Sequence, residues 1–185
     1  MPASTLRSAT PLDAIRIELE DTLALQRAAY LAHPNPSFAE RKADLLKLKA
    51  FVVDNRDAIL DAISKDYGNR SRHESLFAEI FSIIDGVGHT LKHLKEWMKP
   101  QSRHIDIKNF LGASNRVIPQ PLGVVGAIIP WNFPIWTSFN GLICTFAAGN
   151  RSMVKMSENS RHITALLIEK IPAYFPREKL AFFDE

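Results

Sequence analysis

The chain reads as an α/β protein: a layer of amphipathic helices, then a β-hairpin, then the first strands of a parallel sheet. Three observations predict this. Residues 12–98 carry apolar side chains at helical spacing, broken only by short polar turns. His104–Lys108 and Asn115–Gln120 alternate as two strands would, joined through Gly112-Ala113-Ser114. The period then changes again at Val124, Val125, Ala127, Ile128 and Ile129, a nearly unbroken apolar run of the kind found in strands covered on both faces.

In chain order, Met1–Thr10 is small and polar and is expected to fray. Leu12–Leu31 is a helix with Leu12, Ile15, Leu19, Leu23, Gln26 and Tyr30 on one face. His33-Pro34-Asn35-Pro36 breaks it. Ser37-Phe38-Ala39-Glu40 is a capping box for a second helix through Leu45, Leu48 and Val52. Asn55 is placed to cap a third, through Ile59, Ile63 and Tyr67, which Gly68-Asn69 closes. Ser71-x-x-Glu74 is a second capping box, opening a long helix to about Met98. Its stripe is Leu76, Ile80, Ile83, Ile84, Val87, Leu91, Leu94 and Met98. His89 and His93, four apart on that helix, could share a metal. With no glutamate between them and no third ligand nearby, a solvated helix face is the reading preferred, and His73 is read as surface too.

Past the hairpin, the stretch 121–158 reads strand, turn, helix, strand. Pro130 stops the first strand because it has no N–H for a ladder. Pro134 suits the first turn of a helix over Ile135–Ala148, and Gly149-Asn150 ends it. Ser152–Lys155 is the second strand. A crossover helix of this length makes the two strands parallel, so the Trp131-Asn132 turn and the Lys155–Glu158 turn open at one rim, where open α/β sheets bind ligands. Ser160 caps a helix to Ile171 that turns Ile163, Leu166, Leu167 and Ile171 to the sheet. Pro176–Lys179 forms a single turn and Leu180–Phe183 starts a third parallel strand. A chain that stops two residues later is expected to be part of a longer protein.

The rim carries the chemistry. Asn132, between two prolines, presents a neutral amide that can donate to a developing oxyanion; a plain turn former is the alternative. Lys155 and Glu158 offer a cation and a carboxylate one turn apart, suited to the hydroxyls of a nucleotide ribose or else a solvated surface pair. Elsewhere the composition excludes more than it proposes. A net charge of +3 with no basic cluster interleaved with aromatics argues against nucleic acid. The N-terminus lacks the apolar run of a signal peptide, and no stretch reaches the roughly 18 apolar residues of a membrane span. The single cysteine, Cys144, is expected to be a buried small hydrophobe; one unpaired thiol fits a reducing compartment, and cytoplasm is the expected location.

PLGVVGAIIPWNFP followed by AAGNRSMVKMSE resembles the aldehyde dehydrogenase superfamily. The resemblance implies an incomplete aldehyde dehydrogenase-like fold: a helical region over 1–100, an oligomerisation hairpin over 101–120, and the first part of a Rossmann-like NAD(P)-binding domain over 121–185. It implies that Asn132 is the side-chain oxyanion donor for a thiohemiacetal. It places Ile129, Pro130, Trp131, Lys155, Ser157 and Glu158 at the cofactor, NAD or NADP, with Lys155 and Glu158 on the adenosine ribose. It also implies an aldehyde substrate and a homodimer or homotetramer formed through the hairpin. The superfamily's nucleophilic cysteine, its general-base glutamate and its glycine-rich turn lie downstream of the residues present, and no metal is expected. Met156 stands where the family usually has proline. KDYGNRSRHESLFAEI, residues 65–80, is most similar to the coniferyl-aldehyde branch, which acts on aromatic aldehydes. The competing expectation is a non-catalytic association module or truncated pseudoenzyme.

Overall fold

A computed structural model describes residues 11–184; the stretch expected to fray, residues 1–10, lies outside the described residues, as does Glu185. The helical layer comprises α1 (Pro11–Ala32), α2 (Phe38–Asp54), α3 (Arg56–Tyr67), a short α4 (Arg72–Ser75), a π-helical segment (Leu76–Phe81) and α5 (Ser82–Trp97). A small hairpin pairs β1 (Gln101–Ser102) with β2 (Arg116–Val117). The sheet follows as β3 (Val124–Ile128), α6 (Pro134–Ala147), β4 (Arg151–Lys155), α7 (Arg161–Lys170), a 3-10 turn (Ile171–Ala173) and β5 (Leu180–Phe183). Its order is β3-β4-β5, all parallel, as expected.

The layers share one core. Phe51 of α2 stacks on Phe139 of α6 with ring centres 5.4 Å apart, and Phe146 meets Phe175 at 5.2 Å. Leu45, Leu48, Ile59 and Ile63 are wholly buried with Val154, Ile163 and Leu167, so the helices of the first half seal the sheet of the second. Each such side chain contributes about 1.5–3 kcal/mol by leaving water. α1 lies against β3 and β4. Its buried Gln26 donates to the carbonyls of Ser152 (2.9 Å) and Arg177 (3.1 Å), while Arg151 reaches back to Ala29 O at 2.9 Å. Leu12, expected on that face, is exposed.

Local signals account for most boundaries. Ser37 and Glu40 form the reciprocal capping box. Asn55 occupies the N-cap position of α3, but its side chain donates to Phe51 O and Tyr174 Oη instead of capping. Ser71 accepts from the Glu74 N–H, and the helix it opens is not uniform. The π segment adds a residue to one turn, so the apolar stripe slips: Leu76 is exposed, and Glu79 turns inward beside Ile80.

Two strand expectations are corrected. The hairpin pairs Gln101–Ser102 with Arg116–Val117, and His104–Lys108 is irregular and turned. Alternation there reflected exposed side chains (Ile107, Phe110 and Leu111), with no partner strand to pair against. β3 is half-buried rather than fully covered: α1 and α6 pack against it, Val124, Val125 and Ala127 are partly buried, and Ile128 at its end is 86% exposed. Among the described residues, no helix is long and apolar enough to cross a membrane.

Candidate active site

The parallel register pairs Ile128 with Lys155, and Lys155 with Phe183, so all three strands end at the same level. The loop after β3, the turn after β4 and Asp184 after β5 therefore open on one rim. Ile129 is buried and donates its N–H to Lys155 O at 2.9 Å, tying the first two together at their base. Pro130, Trp131 and Asn132 stand above it, exposed. Met156 uses its N–H to bond Phe183 O at 2.9 Å and buries its side chain completely. A proline has no N–H to make that bond.

The Asn132 loop is gripped from three sides. Tyr67 Oη donates to Trp131 O at 2.8 Å and also bonds Asn132 O. Arg70 Nη1 donates to Asn132 O at 3.2 Å. Glu79, wholly buried, accepts the N–H groups of Ile135 (2.8 Å) and Trp136 (3.3 Å) at the start of α6. Burial pushes the Glu79 carboxyl up from the ordinary carboxylate range; the two N–H bonds and Arg70 oppose that shift. Burial likewise pushes the Tyr67 phenol up from its ordinary value.

On the neighbouring turn, Lys155 Nζ lies 3.7 Å from Glu158 Oε2, both partly solvated. Ser157 and Glu158 line a hollow of about 240 Å³ with Arg161, Thr164, Ala165 and Asp184. Asp66, on α3, accepts the N–H groups of His162 (2.8 Å) and Ile163 (3.0 Å) at the start of α7. Ser160, the expected cap, makes no capping bond, because a carboxylate from another helix has taken its place.

Cys144 is corrected from buried to exposed. It belongs to the outward stripe Trp136, Asn140 and Cys144 of α6 and lines a cavity of about 320 Å³ with Trp97, Met98 and Arg41. Among the described residues, no group of three or more potential ligands could hold a metal. The His89 and His93 rings instead lie 4.6 Å apart, with His93 stacked on Trp97.

The aldehyde dehydrogenase family model matches residues 6–180. The chain belongs to the aldehyde dehydrogenase family. A protein of Pseudomonas aeruginosa described as a probable coniferyl aldehyde dehydrogenase is 41% identical over 89% of this chain and 34% of its own length. The chain spans about a third of the length of the curated relatives it matches. Among solved structures, substrate-bound AldH of Staphylococcus aureus superposes with a TM-score of 0.84 at 23% identity, over 90% of this chain and 36% of that one. Succinic semialdehyde dehydrogenase of Streptococcus pyogenes, solved with NADP+, gives 0.74 at 19% identity, over 98% and 38%.

Against an aldehyde dehydrogenase cofactor, the residues present fit one half. A lysine and a carboxylate 3.7 Å apart at the rim suit ribose hydroxyls. The pyrophosphate half does not fit α6 or α7: the N-terminal N–H groups that would cradle it are occupied by Glu79 and Asp66. Motif reading found the rim but missed Tyr67, Arg70, Glu79 and Asp66. Glu79 carried a signal, a charged residue flanking the stripe between Leu76 and Ile83.

Proposed function

We propose that this chain forms the N-terminal part of an NAD(P)-dependent aldehyde dehydrogenase that oxidises an aromatic aldehyde of the coniferyl class to its acid. Residues 1–100 then serve as the helical region, 101–120 as the association hairpin and 121–185 as the first part of the cofactor domain. The observation that carries the reading is the placement of Asn132 and the Lys155–Glu158 pair on adjacent turns of one rim, fixed by the Ile128–Lys155 register. Similarity to the coniferyl enzymes supports the substrate class.

In this reading the Asn132 amide donates to the aldehyde oxygen as negative charge develops there, from a backbone already immobilised. One such donor is worth about 2.7–4 kcal/mol in the transition state. Lys155 donates to a ribose hydroxyl and Glu158 accepts from one; its carboxylate repels a 2′-phosphate, which favours NAD. The dinucleotide, when bound, supplies the hydride acceptor. Cys144 cannot be the nucleophile: ten residues along α6 from Pro134, it lies about 15 Å from the loop. The attacking thiolate comes from residues outside this chain, in a protein we place in the cytoplasm.

In the longer protein, Asn132→Ala should lower kcat by about 10²–10³ with KM little changed, and an unchanged kcat refutes the role of Asn132. Replacing Lys155 and Glu158 with alanine should weaken cofactor binding; equal affinity removes them from the site. These 185 residues alone should produce no NADH from an aldehyde, and any turnover would place the nucleophile among them.

A second reading, association without catalysis, draws on the exposed hairpin side chains Ile107, Phe110, Leu111, Val117 and Ile118. Light scattering should show a dimer or tetramer that Phe110→Glu dissociates. Self-association with no tryptophan-fluorescence response to NAD would favour this reading over the enzyme.

A further inference from the structure

The loop between β3 and α6 has few internal means of holding its shape. Pro130 and Pro134 lack N–H groups, and the carbonyls of Trp131 and Asn132 accept from side chains far away in the chain. Those side chains form a connected cluster. Glu79 uses one carboxylate oxygen for the Ile135 and Trp136 N–H groups and the other for Arg70 Nη1, at 2.8 Å. Arg70 is 5% exposed, and the same nitrogen reaches Asn132 O. Its guanidinium is sandwiched between the rings of Tyr67 (4.8 Å) and Phe133 (4.6 Å), and Tyr67 holds the two carbonyls directly. Glu79 faces inward only because the π segment displaces it from the surface.

Building and burying such a pair costs desolvation that an apolar cluster of equal volume avoids. Its position explains the expenditure. Besides the Arg70–Glu79 pair itself and the contact of Arg70 with Glu74, its bonds end on the stretch that carries Asn132 or on the first turn of α6. We infer that Glu79, Arg70 and Tyr67 are positioning residues, which fix the backbone of Asn132 so that its amide meets the substrate oxygen without first being ordered. The inference rests on the reading of Asn132 as the oxyanion donor. A displacement of about 1 Å at such a donor can cost on the order of a hundredfold in rate.

The test has two independent readouts. In nitrogen-15 NMR spectra of this chain, Glu79→Gln should shift and broaden the side-chain amide of Asn132 and the indole of Trp131. Because Glu79→Gln strips a buried guanidinium of its carboxylate and can unfold the chain, Tyr67→Phe is the second variant: it removes one hydroxyl and should produce the same change in a folded protein. The wild-type resonances should also show a titration step above the range of exposed carboxylates, where Glu79 takes up a proton, and Glu79→Gln should lack it. The charged and titratable groups facing Glu79 are Arg70, Glu74 and Tyr67. Resonances of Asn132 that superimpose on wild type in both variants overturn the inference.

In the longer protein, Tyr67→Phe should lower kcat tenfold or more while KM stays within twofold, the split expected of a misplaced transition-state donor. Loss of rate in Asn132→Ala with full rate in Tyr67→Phe and Glu79→Gln also overturns it. An Asn132→Ala variant of unchanged rate overturns the function proposed for Asn132 but not the clamp, which the resonances judge by themselves.

Discussion

Replacing Asp66 with alanine removes the cap of a helix that begins 95 residues later. The Asp66 side chain is 3% exposed, and its oxygens accept the N–H groups of His162 and Ile163 and meet His162 Nδ1 at 2.7 Å. An N-cap is worth about 0.5–2 kcal/mol, and hydrogen bonds to a charged acceptor about 1.5–3 kcal/mol each. Part of this is regained when water reaches the exposed His162 N–H, leaving a loss of roughly 2–4 kcal/mol. For a chain of this size that corresponds to a fall in Tm on the order of 5–12 °C. Asp66→Asn keeps one neutral acceptor and should lose about half as much. The control is Ser160→Ala. Ser160 stands at the N-cap position, yet its buried hydroxyl makes no bond, so this change should leave Tm unaltered or slightly raised. Thermal unfolding followed by circular dichroism decides between the two. A neutral Asp66→Ala, or a Ser160→Ala as harmful, would show that α7 is capped locally after all.

Further expectations follow from single contacts. Gly149 has φ +84, and an added Cβ would stand 2.8 Å from Arg41 Cζ. Gly149→Ala should therefore cost at least about 1–3 kcal/mol through backbone strain, with the clash adding to it; an unchanged denaturation midpoint would count against this geometry. The Ser37 hydroxyl and N–H hold the Glu40 carboxyl down from 4.5 to about 2. A depressed folded-state value stabilises above the unfolded one and is lost as pH falls, so wild type should exceed Glu40→Gln in stability near neutrality and converge with it between pH 4.5 and about 2. A gap constant down to pH 2 would mean the capping box adds nothing. Cys144, exposed on α6, should react with a small maleimide in the folded protein at the rate of a free thiol; protection without denaturant would place it in the core.

The strand–helix–strand unit was legible because each boundary is set by a residue that acts on its own backbone. Pro130 and Pro134 withhold N–H groups, and Gly149 takes the positive φ that ends α6. The capping box at Ser37 is equally local. The rim followed from topology alone, since parallel strands must end together, and Asn132, Lys155 and Glu158 were found with it. What went unread depends on partners distant in the chain. Cys144 was read from its apolar neighbours Leu142, Ile143 and Phe146, although Asn140, one turn earlier, marks the outward side; the docking of α2 and α5 chose that side. The hairpin pairs just two residues on each strand, too few for alternation to reveal the register. The π turn at Leu76–Phe81 carries no local marker, and the inward Glu79 it presents meets partners as far away as Ile135. By itself, then, the sequence determined the elements, the parallel sheet and the family, because those rest on local backbone chemistry and short-range periodicity. Tertiary structure alone decided which carboxylates cap α6 and α7 and what holds Asn132 in place, because a buried charge can settle only where the folded chain brings donors to it.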